Sequence, residues 1–180
     1  IPDYKGLGLQ KRQPGLVITN YSGFDIVNPK YNGEKILLGL NKTKLVLELS
    51  LIIANKNLEN ILYRSFFDYY IYKGICKQAY DSENLSRYYC QKNKLNKSKL
   101  FRLEFSNDYF NDTFKVDLNR LFFTVGDYEY FQMGFKEDTD ELVLGEPFFI
   151  NYTFIYNKTN DTLSYYIGHE FNKYKEPDAK

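Results

Sequence analysis

The spacing of apolar and polar positions changes along the chain, and the changes mark out its elements. Phe101, Leu103 and Phe105 alternate with Arg102 and Glu104, and Phe114, Val116 and Leu118 alternate with Lys115 and Asp117. A two-residue period predicts two half-buried antiparallel strands, joined across Ser106 to Thr113. Between Asn55 and Gly74 the period lengthens. Leu58, Ile61, Leu62, Phe66 and Tyr69 recur at three- and four-residue spacing, which predicts a helix capped by Asn57, with Lys73 in its last turn and Gly74 as its stop.

The remaining apolar runs are short and β-prone. Leu16 to Ile26 predicts a strand, Asn28-Pro29 and Asn32-Gly33 predict turns, and Ile36 to Leu40 and Leu45 to Ile53 predict strands separated by Asn41-Lys42-Thr43. Leu121 to Val125, Tyr128 to Phe135 and Leu163 to Ile167 add further strands, with turns at Asp138 to Glu141 and Asn157 to Thr162. The expected fold is therefore mainly β with one or two short helices, and no internal repeat of fixed period divides it. Pro2, Gly6, Gly8, Pro14 and Gly15 give residues 1–16 the composition of an extended arm, residues 17–171 read as a single domain, and residues 172–180 as a polar tail. Ile1 is not an initiator Met, so a processed or partial chain is expected.

Charge removes two partner classes. A net charge of +1, with acids and bases interspersed, offers no field of one sign for nucleic acid or an anionic membrane. Leu45 to Ala54, the longest apolar run, is interrupted by Glu48 and Ser50 and falls well short of the roughly 20 residues a membrane span needs. Asparagine is more informative. Eight Asn-X-Ser/Thr acceptors occur, at Asn20, Asn41, Asn84, Asn96, Asn111, Asn151, Asn157 and Asn160. Random placement of this chain's Asn, Ser and Thr would give about 1.5 of them, so a secreted, extracellular protein carrying covalent N-glycans is expected. Cys76 and Cys90, the two cysteines, enclose a polar loop and are expected to form a disulfide worth about 3 kcal/mol.

Leu142-Val143-Leu144-Gly145-Glu146-Pro147-Phe148-Phe149 is an apolar run stopped by a Gly-Glu-Pro turn, and it leads into Asn151-Tyr152-Thr153-Phe154-Ile155-Tyr156. The stretch resembles the hallmark of pepsin-like aspartic proteases, in which an apolar-Gly-Asp-Pro-Phe segment passes through a short helix into an aromatic strand late in the C-terminal lobe. The resemblance covers residues 35–170 and is most specific from Cys90 onward. It implies an antiparallel β-barrel or sandwich lobe, and a catalytic Asp-Thr/Ser-Gly turn some 85 to 100 residues before Gly145. That interval ends on Glu48-Leu49-Ser50, inside an apolar strand of the right character.

All three positions of that turn depart from the family's pattern. Glu48 is one methylene too long for a coplanar acid pair, Leu49 has no hydroxyl to brace the turn, and Ser50 lacks the backbone freedom of Gly. No stretch of these residues is expected to form the lobe that would supply the second acid, so no catalytic residue is expected. Other chemistries find less support. His169, the single histidine, has no nucleophile motif before it, and with so few His and Cys no metal or cofactor site is expected. Glu137, Asp138, Asp140 and Glu141 lack the spacing of a calcium loop and read as a solvated turn, and Lys92, Lys94, Lys97 and Lys99 read as a solvated run around Asn96. Tyr63, Tyr69, Tyr70, Tyr72, Tyr80, Tyr88 and Tyr89 cluster around the helix and the cysteine loop, a composition suited to contact surfaces.

The resemblance implies an inactive lobe kept for architecture, a structural subunit of an extracellular fibre or coat. Its partners would be copies of itself or a sister chain that supplies the missing lobe, since a lone lobe leaves strand edges open. Two alternatives stand beside it: one processed chain of an active aspartic endopeptidase with Glu48 in place of Asp, and a glycan-binding or adhesive module using exposed tyrosines.

Overall fold

The structure is a computed structural model that describes residues 16–17, 23–108, 113–157 and 162–167, with side chains for 23–108, 113–152 and 154. It is mainly β, 43% strand with one 17-residue helix. The chain opens with β1 (Leu16–Val17), β2 (Val27–Tyr31), β3 (Glu34–Lys35), β4 (Lys42–Leu45) and β5 (Ile52–Asn55). The long helix follows as α1 (Lys56–Leu62), a π turn (Tyr63–Phe67) and α2 (Asp68–Tyr72), and it leads into the hairpin of β6 (Cys76–Tyr80) and β7 (Ser86–Gln91). Next come β8 (Arg102–Ser106), β9 (Thr113–Asp117), β10 (Phe122–Val125), β11 (Tyr128–Phe131), β12 (Met133–Lys136) and β13 (Glu141–Leu144). A short α3 (Glu146–Phe149) precedes β14 (Tyr152–Asn157) and β15 (Thr162–Ile167).

Three sheets result: β1-β15-β14, β3-β2-β8-β9, and an eight-stranded sheet ordered β10-β11-β7-β12-β5-β13-β4 with β6 also on β7. The large sheet departs from the purely antiparallel pairing expected from the sequence. β12 runs parallel to β5 and β13 runs parallel to β4, so the large sheet is mixed. Between the layers lies one aromatic core in which Phe24 stacks on Phe114 at 5.0 Å, Phe148 on Tyr152 at 4.9 Å and Phe67 on Tyr88 at 4.4 Å. Ring pairs at these separations add attraction beyond the area they bury.

Several local expectations change for identifiable reasons. Asn28-Pro29 is not a turn but a bulge inside β2, with Asn28 at φ 51° and a register shift against β8. Asn32-Gly33 is the true hairpin turn, both residues having positive φ. Ile36 to Leu40 forms no strand, whereas the expected separator Lys42-Thr43 lies in β4, where buried Thr43 accepts from the Phe24 N–H through Oγ1 and donates to the Phe24 carbonyl. Asn55, not Asn57, caps α1, accepting from the Leu58 N–H at 3.2 Å. The π turn inserts one residue into the helical repeat, so Tyr70 is 7% exposed and Tyr69, expected in the core, is 60% exposed. Gly74, at φ 74°, ends the helix as expected.

Candidate functional site

The expected strand from Leu45 to Ile53 is broken in its middle. β4 ends at Leu45, β5 begins at Ile52, and both pair with the same strand, β13, which runs between them. The link from Val46 to Leu51 therefore arches over the end of β13. The Val46 N–H donates to the Leu144 carbonyl at 3.0 Å, the Leu49 N–H to the Val46 carbonyl at 3.2 Å, and the Glu146 N–H to the Leu49 carbonyl at 2.7 Å. Gly145 lies directly beneath the arch. A Cβ there would stand 2.0 Å from the Leu51 carbonyl oxygen and 2.4 Å from that of Leu49, closer than any real contact. The apolar-Gly-Glu-Pro segment and the Glu48-Leu49-Ser50 turn, about 95 residues apart in sequence, thus form one unit.

The arch holds backbone rather than reactive groups. Glu48 and Ser50 are exposed and Leu49 is half-buried, with no hydrogen bond fixing the Glu48 carboxylate among the described residues. Pro147 follows Glu146 in the first turn of α3, where its lack of an N–H costs nothing.

A second cluster has almost no signature in the sequence. Glu59 is buried on the sheet side of α1, where its Oε2 accepts from the hydroxyls of Ser86 and of Tyr88, the latter at 2.8 Å, and its Oε1 lies 3.2 Å from Lys56 Nζ. Burial, then the hydrogen bond to Glu59 and its charge, push the Tyr88 phenol well above the ordinary tyrosine range. An open groove of about 700 Å³ runs over this cluster between the helix and the β6–β7 hairpin, lined by Lys56, Tyr63, Lys77, Tyr80 and Tyr89. Three donors already occupy the carboxylate, so the cluster is a brace between helix and hairpin. Glu59 stands next to Leu58 and three residues before Leu62, and that position in the apolar stripe was its one signal in the sequence.

Cys76 and Cys90 face each other across β6 and β7 and are joined in a disulfide. Asn41, Asn84 and Asn96 are exposed, and Asn151 is half-buried. Asn20, Asn111, Asn160, the side chain of Asn157, His169, the tail at 172–180 and the proposed arm up to residue 15 lie outside the described residues. Leu16, assigned to the arm, pairs with Leu163 in the three-stranded sheet.

The tyrosines divide: Tyr63, Tyr72 and Tyr80 reach solvent with Tyr69, while Tyr70 and Tyr88 are core residues. Lys97 does not belong to a solvated run, since it pairs with buried Glu129 and lies 5.0 Å over the Phe122 ring. Glu137, Asp138 and Asp140 are exposed and Glu141 opens β13. Among the described residues no group of three or more His, Cys, Asp or Glu could hold a metal ion, and no helix is long and apolar enough to cross a membrane. No protein-family model matches the chain, and no curated protein matches it.

Proposed function

We propose that this chain is a catalytically inactive, secreted glycoprotein built on a lobe like that of the pepsin-like aspartic proteases, serving as a structural subunit of an extracellular fibre or coat. One observation carries the reading. The Gly145 segment passes between the two strands that flank Glu48-Leu49-Ser50, the relation a catalytic turn would need, yet the turn offers an exposed, unheld carboxylate and no bracing hydroxyl at its second position.

What the scaffold retains is edge. β1 and β14, the outer strands of the three-stranded sheet, carry no charged residue, and a sheet with uncharged edges recruits further strands from a copy or a sister chain. The disulfide and the exposed acceptors at Asn41, Asn84 and Asn96 support an oxidising, glycosylating route.

Two measurements on the glycosylated chain test this. Incubation with a denatured protein between pH 3 and 7 should yield no cleavage, and pepstatin-sensitive cleavage would establish an endopeptidase instead. Sedimentation should show species heavier than one chain, and a compact monomer at every concentration would overturn the assembly role.

A further inference from the structure

Outer strands expose unpaired backbone groups, and proteins guard them with charge, proline or a bulge. Among the described residues, five outer strands belong to the two larger sheets. β4 carries Lys42 and Lys44, β6 Lys77, β3 Glu34 and Lys35, and β9 Lys115 and Asp117. β10 carries none. It reads Phe122-Phe123-Thr124-Val125, pairs with β11 in unbroken register, and leaves Phe123 43% and Val125 54% exposed. Its side chains extend a row across the sheet. Lys77 is opposite Tyr89, Tyr89 opposite Tyr130, and Tyr130 opposite Phe123, with ring centroids 5.7 Å apart at each of the last two steps.

The backbone dictates how another strand could dock. The Gln132 N–H donates to the Leu121 carbonyl at 2.7 Å, so Leu121, and by alternation Phe123 and Val125, turn their polar groups toward β11. Phe122 and Thr124 turn theirs outward. For two copies related by a dyad and paired antiparallel, one such register sets Phe122 opposite Thr124 and Phe123 opposite its own copy, in the closely spaced kind of pair. A register centred on Thr124 would instead set Leu121 against Asp127.

Side-chain matching favours the first, since it sets Leu121 opposite Val125 and not against Asp127, and charge favours antiparallel over parallel pairing. β10 is flanked by exposed Arg120 and exposed Asp127, neither in an ion pair within the described residues, and centring on Phe123 brings the Arg120 of each copy beside the Gly126-Asp127 turn of the other. A parallel arrangement would align like charges. None of the eight glycan acceptors falls between residues 120 and 130.

We infer that the β10 edge is a homotypic interface through which a second copy of this chain extends the eight-stranded sheet across a dyad at Phe123. The inference deepens the assembly reading by naming a partner, and rests on it. Phe123→Cys tests the register, because both native cysteines are already paired and only residues opposite their own copies can bridge readily. Spontaneous disulfide dimers are expected from Phe123→Cys and far fewer from Val125→Cys.

Phe123→Lys, checked for native circular dichroism, should weaken self-association about tenfold or more in sedimentation, because it sets two like charges face to face. Equal crosslinking of the two cysteine variants, or an oligomer indifferent to Phe123→Lys, overturns the β10 interface while leaving the assembly reading to the three-stranded sheet. A wild-type chain that is monomeric throughout overturns both.

Discussion

Gly145 shows how much one missing side chain can organise. Its φ of −96° suits any residue, so the requirement is space under the Val46–Leu51 arch and not backbone freedom. Both atoms that a Cβ would strike first are carbonyl oxygens of that arch, and one of the strands it joins is in the middle of the large sheet, so neither can retreat. Gly145→Ala should therefore cost about 3 kcal/mol or more, or prevent folding, as overpacking against fixed backbone does. Gly134→Ala is the control. Its Cβ would meet Leu85 Cδ1 at 3.1 Å, and Arg87 Cδ and Leu85 Cβ at 3.3 Å, contacts that a shift of a few tenths of an ångström relieves, so its cost should stay near 1 kcal/mol. Urea midpoints of the two variants check the contrast, and similar midpoints would mean the arch gives way.

Accessibility decides a second residue-scale outcome. Asn41, Asn84 and Asn96 are exposed, whereas Asn151 follows α3 and is half-buried. On chain isolated from its native source, glycan occupancy mapped by mass spectrometry should be high at the first three and low at Asn151. Bare asparagine at all three exposed sites would count against passage through a glycosylating compartment.

Among the elements, those with a strict period were legible in the sequence and those defined by pairing partner were not. β8 and β9 alternate in burial as their residues alternate in polarity, because one face of each meets the core. Asn41-Lys42-Thr43 has the composition of a polar separator, and nothing local reveals that Lys42-Thr43 lies in β4 or that Phe24 satisfies the Thr43 hydroxyl. Parallel pairing of β4 with β13 joins residues about 100 positions apart, and no local pattern encodes it. The helix was legible as an element but not in its second half, where the π turn shifts the buried face by one residue.

The same helix makes a pH prediction. Its Glu59 accepts from Tyr88 on β7, and the Tyr88 phenol is held above its ordinary pKa of about 10 by burial and by that carboxylate. The folded state thus keeps a proton that the unfolded chain releases above pH 10. The stabilisation is complete below that pH and declines as pH rises through the folded pKa. Urea midpoints should fall between pH 10 and 11 in the wild type. Tyr88→Phe should be less stable at pH 7 by about 1–2 kcal/mol, having left the Glu59 carboxylate one donor short, and its alkaline decline should be shallower. Parallel declines in the two proteins would assign the alkaline transition to other groups.

At the scale of the whole molecule, the disulfide and the Glu59 brace secure the same hairpin from two sides. Cys76 and Cys90 tie β6 to β7 at the end next to the helix exit, while Ser86 and Tyr88 tie β7 to α1. Among the described residues β6 has no other strand neighbour, and four of its five residues are exposed, so little but the bridge and its ladder holds it in place. The bridge closes a separation of 14 residues, and removing it should cost about 3 kcal/mol through the freedom returned to the unfolded chain. For a chain of this length that is a fall in Tm of about 6–12 °C. Cys76→Ser/Cys90→Ser should show this fall by calorimetry while keeping its far-ultraviolet circular dichroism, because Phe67, Tyr88 and Phe131 still pack β7 and β11 on the helix. Adding Tyr88→Phe to the double variant should cost more than the sum of the separate losses, since the hairpin would then lack both ties. Strict additivity would instead mean that the strand ladders position the hairpin without either one.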